Sequence, residues 1–211
     1  MPRCFAVHPE AVAYLARRDK RLAWVMGQMD VPQRELMPDT FAALMHAIVG
    51  QQISGRAQAA VWARLQSGLG EVTPDAVHRA EAEALRGYGL SARKAGYMKE
   101  AAARIVHGEL DLAALHSLPD EAVCAALTSL PGVGRWTAEM LLIFSLERPD
   151  VLSYGDFGIQ RGLRMLYRHR QIDRARFARY RRRYSPYASL ASFYLWAIAG
   201  GSIPGLTDPA S

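Results

Sequence analysis

A single carboxylate, Asp156, lies where a chain could carry out chemistry on a positively charged centre. It follows the loop Ser153-Tyr154-Gly155 and directly precedes the helically patterned stretch 157–167. Backbone N–H groups and the dipole at the start of a helix keep such a carboxylate ionised. An ionised carboxylate stabilises a developing cation or orients water, as it does in glycoside hydrolysis. The same position also suits a simple helix N-cap, so the sequence leaves both roles open for Asp156.

A helix, a tight turn and a second helix are predicted upstream of Asp156. Apolar residues have helical spacing in 121–129, the segment Leu130-Pro131-Gly132-Val133-Gly134 interrupts the pattern, and 135–146 resumes it. Glycine in the turn permits a positive φ and puts no Cβ between the backbone and a ligand. The unpaired N–H groups that begin the second helix favour an anion, such as a DNA phosphate. An ordinary helix–helix turn whose glycines are only C-caps has the same composition.

The string LPGVGRWTA at 130–138, followed by the Gly-containing loop and Asp156, resembles the helix-hairpin-helix signature of the DNA glycosylase superfamily. The likeness is strongest to the 3-methyladenine DNA glycosylase II group and covers most of the chain. It implies that Asp156 is the catalytic carboxylate of an enzyme that releases damaged bases from DNA. It leaves open a monovalent cation on the hairpin carbonyls, as in some relatives, and implies no other metal. It also implies DNA contacts at the hairpin residues Gly132, Val133, Gly134, Arg135 and Thr137.

The residue at position 136 bears on the reaction. Relatives that also cut the DNA strand carry a Lys where this chain has Trp136, and the Lys amine forms a Schiff base with the sugar. An indole has no such nucleophile, so the resemblance implies base release without strand cleavage, which leaves an abasic site. It also implies a base pocket formed by Trp136, Trp196, Met140 and Tyr154, with Met140 in place of a family Tyr. Burial in a helical core is the alternative for both tryptophans.

A base alkylated at a ring nitrogen, such as 3-methyladenine or 7-methylguanine, is the lesion that suits a lone carboxylate. Such a base is already cationic, so it needs no acid to protonate the leaving group, and an indole face attracts a cation. A glycosylase for a neutral deaminated, oxidised or mismatched base needs a second carboxyl, for which Glu139, one turn from Trp136, is a candidate. A non-enzymatic protein that only binds DNA through the hairpin, with Asp156 as a cap, is the alternative from another class.

A second matching stretch, 47–54 (AIVGQQIS), resembles the family loop whose side chain fills the gap left by a flipped nucleotide. Position by position, that wedge side chain is Gln52. Gln51 or Ile53 takes its place if the alignment shifts by one residue. A polar loop tip without this role is the simpler interpretation.

Recurrent helical spacing with little alternation predicts an all-α protein. By resemblance, the chain forms two helical lobes with the active site in the cleft between them. One lobe is discontinuous and comprises 1–35 and 151–211, and the domain 36–150 carries the hairpin at about 130–136. A single N-terminal helix is predicted from about Pro9 to Met29.

Composition agrees with a nucleic-acid partner. The net charge of +6 suits a polyanion such as double-stranded DNA. The basic run 174–183 is typical of a solvated helix face and could add non-specific DNA affinity. Two cysteines, Cys4 and Cys124, indicate no disulfide framework and no zinc site, and they are too few for the iron-sulfur cluster of endonuclease III relatives. No signal-like or membrane-spanning apolar run is present, so we expect a protein of the bacterial cytosol with no membrane partner. We also expect a monomer that requires no cofactor.

Overall fold

The computed structural model describes residues 3–210, so the predicted lobe ends at residues 1 and 211 lie outside the described residues. Within 3–210 the β pairing consists of an isolated bridge between Cys4 and Glu35, and the prediction of an all-α protein is confirmed. The helices in chain order are α1 (Pro9–Arg18), α2 (Lys20–Met26), α3 (Thr40–Gly50), α4 (Gly55–Leu69), α5 (Pro74–Arg79), α6 (Ala82–Gly87), α7 (Ala92–Val106), α8 (Asp120–Thr128), α9 (Arg135–Phe144), α10 (Phe157–Tyr167), α11 (Arg174–Tyr184) and α12 (Ala188–Ala199), with a short 3-10 turn at Ala114–Ser117.

Two compact units contain these helices. The first unit is Met1–Leu36 together with Glu147–Ser211, and it holds α1, α2 and α10 to α12. The second unit is Met37–Leu146, and it holds α3 to α9. Among residues 3–210 no helix is both long enough and apolar enough to cross a membrane.

The predicted single helix from Pro9 to Met29 is wrong, because the structure breaks it at Asp19. Asp19 has an extended backbone and begins α2 by accepting hydrogen bonds from the N–H groups of Arg21 and Leu22. Its other carboxylate oxygen binds the Tyr167 hydroxyl and Arg183. The helical periodicity of the segment is real, but these contacts with distant residues favour a cap over a continuous helix.

In the first unit, α12 is buried on nearly all sides and packs closely against α10. A Cβ at Gly162 of α10 would collide with the backbone of Leu195 in α12. Two buried serines of α12 bind the loop that leads to Asp156. Ser189 accepts a hydrogen bond from the N–H of Val151 and donates one to the carbonyl of Arg148, and Ser192 donates to the carbonyl of Val151. The position of the loop is therefore fixed by α12.

In the second unit, side-chain caps begin four of the helices. Each capping side chain accepts a hydrogen bond from the backbone N–H three residues ahead, which satisfies one of the unpaired donors of a helix start. The caps of α3, α4, α5 and α7 are Asp39, Ser54, Thr73 and Ser91. Fully buried apolar side chains of α3, α4, α7, α8 and α9 form the core on which the hairpin between α8 and α9 rests, including Leu44, Ile48, Leu65, Met98, Leu127 and Ile143.

One carboxylate near the C-terminus couples the stability of the first unit to pH. Arg164 of α10 donates from Nε and Nη2 to the two oxygens of Asp208 at 2.9 and 2.5 Å, and these hydrogen bonds lower the pKa of Asp208 to about 2. Because the folded-state pKa lies below that of the unfolded chain, about 3.9, the stabilisation is complete above that value. It is lost as the pH falls towards 2.

We expect Asp208→Asn to reduce the free energy of unfolding at neutral pH by about 1 to 2 kcal/mol. The amide keeps one acceptor for Arg164 but carries no charge. Urea unfolding at pH values from neutral to below 3 measures the effect. The variant should lose less stability than the wild type between about pH 4 and 2, since it has no carboxylate to protonate there. Parallel profiles for the two proteins would contradict this interpretation.

Candidate functional site

Asp156 is a buried carboxylate that is both a helix cap and the partner of an indole. Its side chain is 6 % exposed. Oδ1 accepts a hydrogen bond from the backbone N–H of Ile159 at 2.7 Å, which begins α10. The same oxygen accepts a second hydrogen bond from Nε1 of Trp196 at 2.8 Å. A cap alone does not require the indole, so the carboxylate is held more firmly than helix initiation demands.

Trp196 reaches Asp156 because α10 and α12 pack closely at a glycine. A Cβ at Gly158 would lie 2.7 Å from Cδ1 of Trp196, so a larger residue in the first turn of α10 would displace the indole. One side of the ring stacks on Phe193 with centroids 5.9 Å apart, and the guanidinium of Arg34 lies 5.9 Å from the ring centroid. Sequence reasoning assigned Trp196 only to a base pocket and missed its role as a donor to Asp156. The glycine two residues after the aspartate is the sequence signal that could have indicated it.

The residues that flank Asp156 differ in their surroundings. Tyr154 is half-buried, with its ring edge-on to Phe177 at 5.1 Å between centroids and the guanidinium of Arg174 at 4.6 Å from its centroid. Its assignment to the base pocket stays a prediction. Phe157 was not singled out from the sequence, yet it is 73 % exposed beside the buried carboxylate.

The hairpin between α8 and α9 has the backbone that its glycines predict. Gly132 has φ of 79°, and a Cβ there would collide with the ring of Tyr97 in α7. Val133 is buried and its N–H binds the carbonyl of Leu130. Gly134 caps α9 without a side-chain hydrogen bond, and a Cβ built on it meets nothing within 4 Å. The turn backbone therefore approaches Tyr97 on one side and is open beside Gly134.

Arg135, predicted to contact DNA, binds two carboxylates within the protein, and its DNA contact stays a prediction. Its Nη atoms donate to Glu121 at 2.6 and 2.7 Å, and its Nε donates to Glu139 at 2.9 Å. These hydrogen bonds raise the pKa of Arg135 and lower that of Glu121. Two carboxylates therefore balance the charge of the guanidinium in this structure, and the backbone N–H groups of the first turn of α9 are further candidates for binding an anion.

The other predicted residues of α9 are divided between its surface and its core. Trp136 is 44 % exposed, so the alternative of a fully buried core residue does not hold. Thr137 and Met140 are both buried. Any DNA contact by Thr137 is therefore left to its backbone, and the pocket role of Met140 stays a prediction.

The loop between α3 and α4 contains the candidate wedge residues. Gln51 donates from Nε2 to the carbonyl of Gly132 at 2.8 Å, which connects this loop to the hairpin. Lys94 of α7 donates from Nζ to the carbonyls of Val49 and Gln51. Gln52 is exposed at the turn with φ of 58°, and Ile53 is 40 % exposed. Gln51 therefore has a structural task, and Gln52 remains the wedge candidate with Ile53 beside it.

No group of three or more His, Cys, Asp and Glu side chains among residues 3–210 is arranged to bind a metal ion. The carbonyl of Gly132, which belongs to the hairpin, accepts the amide of Gln51. A monovalent cation on the hairpin carbonyls stays a prediction.

The protein is all-α, and the glycine turn between α8 and α9 makes it a protein of the helix-hairpin-helix type. Residues 45–185 match the family described as HhH-GPD superfamily base excision DNA repair protein, and the chain belongs to this family. It is 31 % identical over 182 residues to DNA-3-methyladenine glycosylase 1 of Schizosaccharomyces pombe, covering 84 % of this chain and 80 % of that protein.

Solved structures of similar proteins have the same fold. The crystal structure of a DNA-3-methyladenine glycosidase from Bacillus halodurans matches with a TM-score of 0.81 and 34 % identity, over 94 % of this chain and 93 % of that one. The Schizosaccharomyces pombe 3-methyladenine DNA glycosylase in complex with abasic DNA matches with a TM-score of 0.80 and 29 % identity, over 90 % of this chain and 97 % of that one.

The two hairpin glycines provide a matched pair of substitutions. Gly132→Ala places a Cβ against Tyr97 at a positive φ, so we expect it to lower the free energy of unfolding by about 1 to 3 kcal/mol. Gly134→Ala meets open space at a negative φ, so we expect a loss below about 1 kcal/mol. Chemical denaturation measures both values. Equal losses would show that the turn does not depend on the left-handed backbone at Gly132.

Proposed function

We propose that this protein is a monofunctional DNA glycosylase of the DNA-3-methyladenine glycosylase II type. It flips alkylated bases such as 3-methyladenine and 7-methylguanine out of duplex DNA and excises them by hydrolysis of the N-glycosidic bond. The product is an abasic site for base excision repair. The observation that carries the proposal is the buried carboxylate of Asp156, which Ile159 and Trp196 hold at the start of α10.

The chemistry follows from the charges that develop as the bond breaks. Departure of the base leaves positive, oxocarbenium-like charge on the sugar. The N–H donors of Ile159 and Trp196 fix the orientation of the Asp156 carboxylate, so it need not rearrange as the positive charge develops. A base alkylated at a ring nitrogen is already cationic and leaves as a neutral molecule, so no general acid has to protonate it. One carboxylate is then sufficient.

Two features argue against the alternative reactions. Trp136 replaces the Lys that would form a Schiff base with the sugar, which supports base release without strand cleavage. Glu139, the candidate second carboxyl for a neutral lesion, already accepts a hydrogen bond from Nε of Arg135. The relatives named 3-methyladenine glycosylases support the same lesion class.

Double-stranded DNA is the proposed partner, bound through the backbone N–H groups of Gly132, Gly134 and Thr137. The N–H of Val133 binds Leu130 within the turn, so Val133 contributes by shaping the hairpin. In this proposal Gln52 fills the gap left by the flipped nucleotide, and Trp136 contacts the flipped base. The proposed protein is a monomer that needs no cofactor and contains no iron-sulfur cluster. We propose that it acts on DNA in the bacterial cytosol.

Replacing Asp156 with Asn removes the charge but keeps an oxygen that can accept the N–H of Ile159. We expect base release from a duplex containing 7-methylguanine to fall by at least about 100-fold, with folding and DNA binding retained. Reaction products run before and after alkali measure release and strand cleavage together. The wild type should give breaks only after alkali. Breaks without alkali would contradict the Trp136 interpretation, and equal release by both proteins would exclude Asp156 as the catalytic carboxylate.

Trp196→Phe tests the positioning role of the indole. The variant keeps an aromatic ring but loses the N–H that binds Asp156, and a hydrogen bond to a charged group contributes about 1.5 to 3 kcal/mol. We expect kcat for base release to fall by about 10- to 100-fold while KM for the DNA changes little. Trp62→Phe is the matched control, since Trp62 packs edge-on against His46 in the second unit. If both variants lose activity equally, or if Trp196→Phe raises only KM, Trp196 does not act through Asp156.

A further inference from the structure

A positively charged recess of about 440 Å³ lies at the end of α10 opposite Asp156. Its lining includes Arg18, Lys20 and Arg21 from the α1–α2 junction, together with Tyr167, His169 and Arg183. We call it the Arg18–Arg21 recess. Since α10 runs from Phe157 to Tyr167 and rises 1.5 Å per residue, about 15 Å separates its two ends. The recess is therefore distinct from the proposed catalytic carboxylate.

The acidic group in this recess is Asp19, and its two oxygens are already bound. Oδ1 accepts the backbone N–H groups of Arg21 and Leu22. Oδ2 accepts the Tyr167 hydroxyl at 2.5 Å and Nη1 of Arg183 at 2.7 Å. The carboxylate balances the charge of Arg183, which is the cation nearest to it. The remaining cations of the recess keep their charge unbalanced.

Arg18, Lys20 and Arg21 are those remaining cations. Among residues 3–210 no ion pair includes any of them. The two guanidinium groups lie near aromatic rings, with Arg18 5.9 Å from the centroid of Tyr14 and Arg21 5.7 Å from that of Tyr167. Arg21 also donates to the carbonyl of Leu166. Like charges around one recess repel each other unless an anion lies between them.

The lining of the recess also includes a histidine, His169, whose pKa lies below its usual value. Nε2 of His169 lies 2.8 Å from the Tyr180 hydroxyl. The pKa of His169 is lowered, first by burial and then by the charges of Arg176, Arg21 and Arg179, against a smaller opposite effect of Asp173. An anion bound beside Arg21 would offset these positive charges and raise that pKa. The pKa of His169 therefore reports whether an anion is bound in the recess.

We propose that the Arg18–Arg21 recess is a second anion site of this protein and binds a phosphate group through Arg18, Lys20 and Arg21. Guanidinium groups suit phosphate because their N–H donors match its oxygens in pairs. The phosphate can belong to a free phosphate ester or to the backbone of a DNA segment remote from the lesion. The inference does not rest on the proposed function.

The test titrates the protein with inorganic phosphate at constant ionic strength while the histidine ring signals are followed by NMR. His169→Gln identifies the signal of His169. We expect a saturable change of this signal and a higher pKa of His169 with phosphate bound. In Arg18→Gln/Lys20→Gln, binding should weaken by at least about tenfold, which is 1.4 kcal/mol. Both side chains are exposed, and urea unfolding checks that the variant folds.

The matched control is Arg86→Gln/Arg182→Gln, which removes two exposed charges outside the recess. Equal weakening of phosphate binding in both double variants would overturn the site, as would an equal change of the His169 signal with chloride.

A nucleoside monophosphate and a lesion-free duplex distinguish the two sources of the phosphate. If the duplex changes the His169 signal at the lower concentration, the source is the DNA backbone. If the nucleotide does so, the source is a free phosphate ester. The kcat of base release should be unchanged in Arg18→Gln/Lys20→Gln. The proposal of this site and the proposed catalytic role of Asp156 are therefore tested separately, and either can be wrong without the other.

Discussion

The hydrogen bonds to Oδ1 of Asp156 are the interaction on which the first unit depends. A buried carboxylate is costly unless donors replace the water it loses. Ile159 supplies a backbone donor and Trp196 supplies an indole donor. The second donor is available only because Gly158 leaves room for the ring and Gly162 lets α10 approach α12. The buried serines of α12 then hold the preceding loop. The close packing of α10 against α12 thus helps to position Oδ1 of Asp156.

In the hairpin of the second unit, the side chains of Arg135 and Val133 contact other parts of the protein. Arg135 connects α8 and α9 through Glu121 and Glu139, and Val133 faces the core. In the proposed function, a hairpin that binds phosphate through its amides recognises the DNA backbone and carries no information about base sequence. Such a contact would suit an enzyme that examines every sequence context for damage.

Local patterns predicted the fold well, since helix caps, the glycine hairpin and the capped carboxylate at Asp156 all depend on neighbours in sequence. The features that the sequence did not predict depend on distant partners. The break at Asp19 needs Tyr167 and Arg183, 148 and 164 residues away. The carboxylate partner of Arg135 at Glu121 is 14 residues away. The indole donor to Asp156 is 40 residues away. Residue type and spacing identified Trp196 as important but could not show which of its groups matters.

The hydrogen bond from Gln51 to the carbonyl of Gly132 has a geometric consequence. It joins the loop that carries Gln52 to the hairpin turn, and Lys94 of α7 holds the same loop through two of its carbonyls. Both segments belong to the second unit, so the distance between the exposed turn at Gln52 and the hairpin is set within that unit. In the proposed function, this distance would determine how many nucleotides separate the phosphate at the hairpin from the point of insertion.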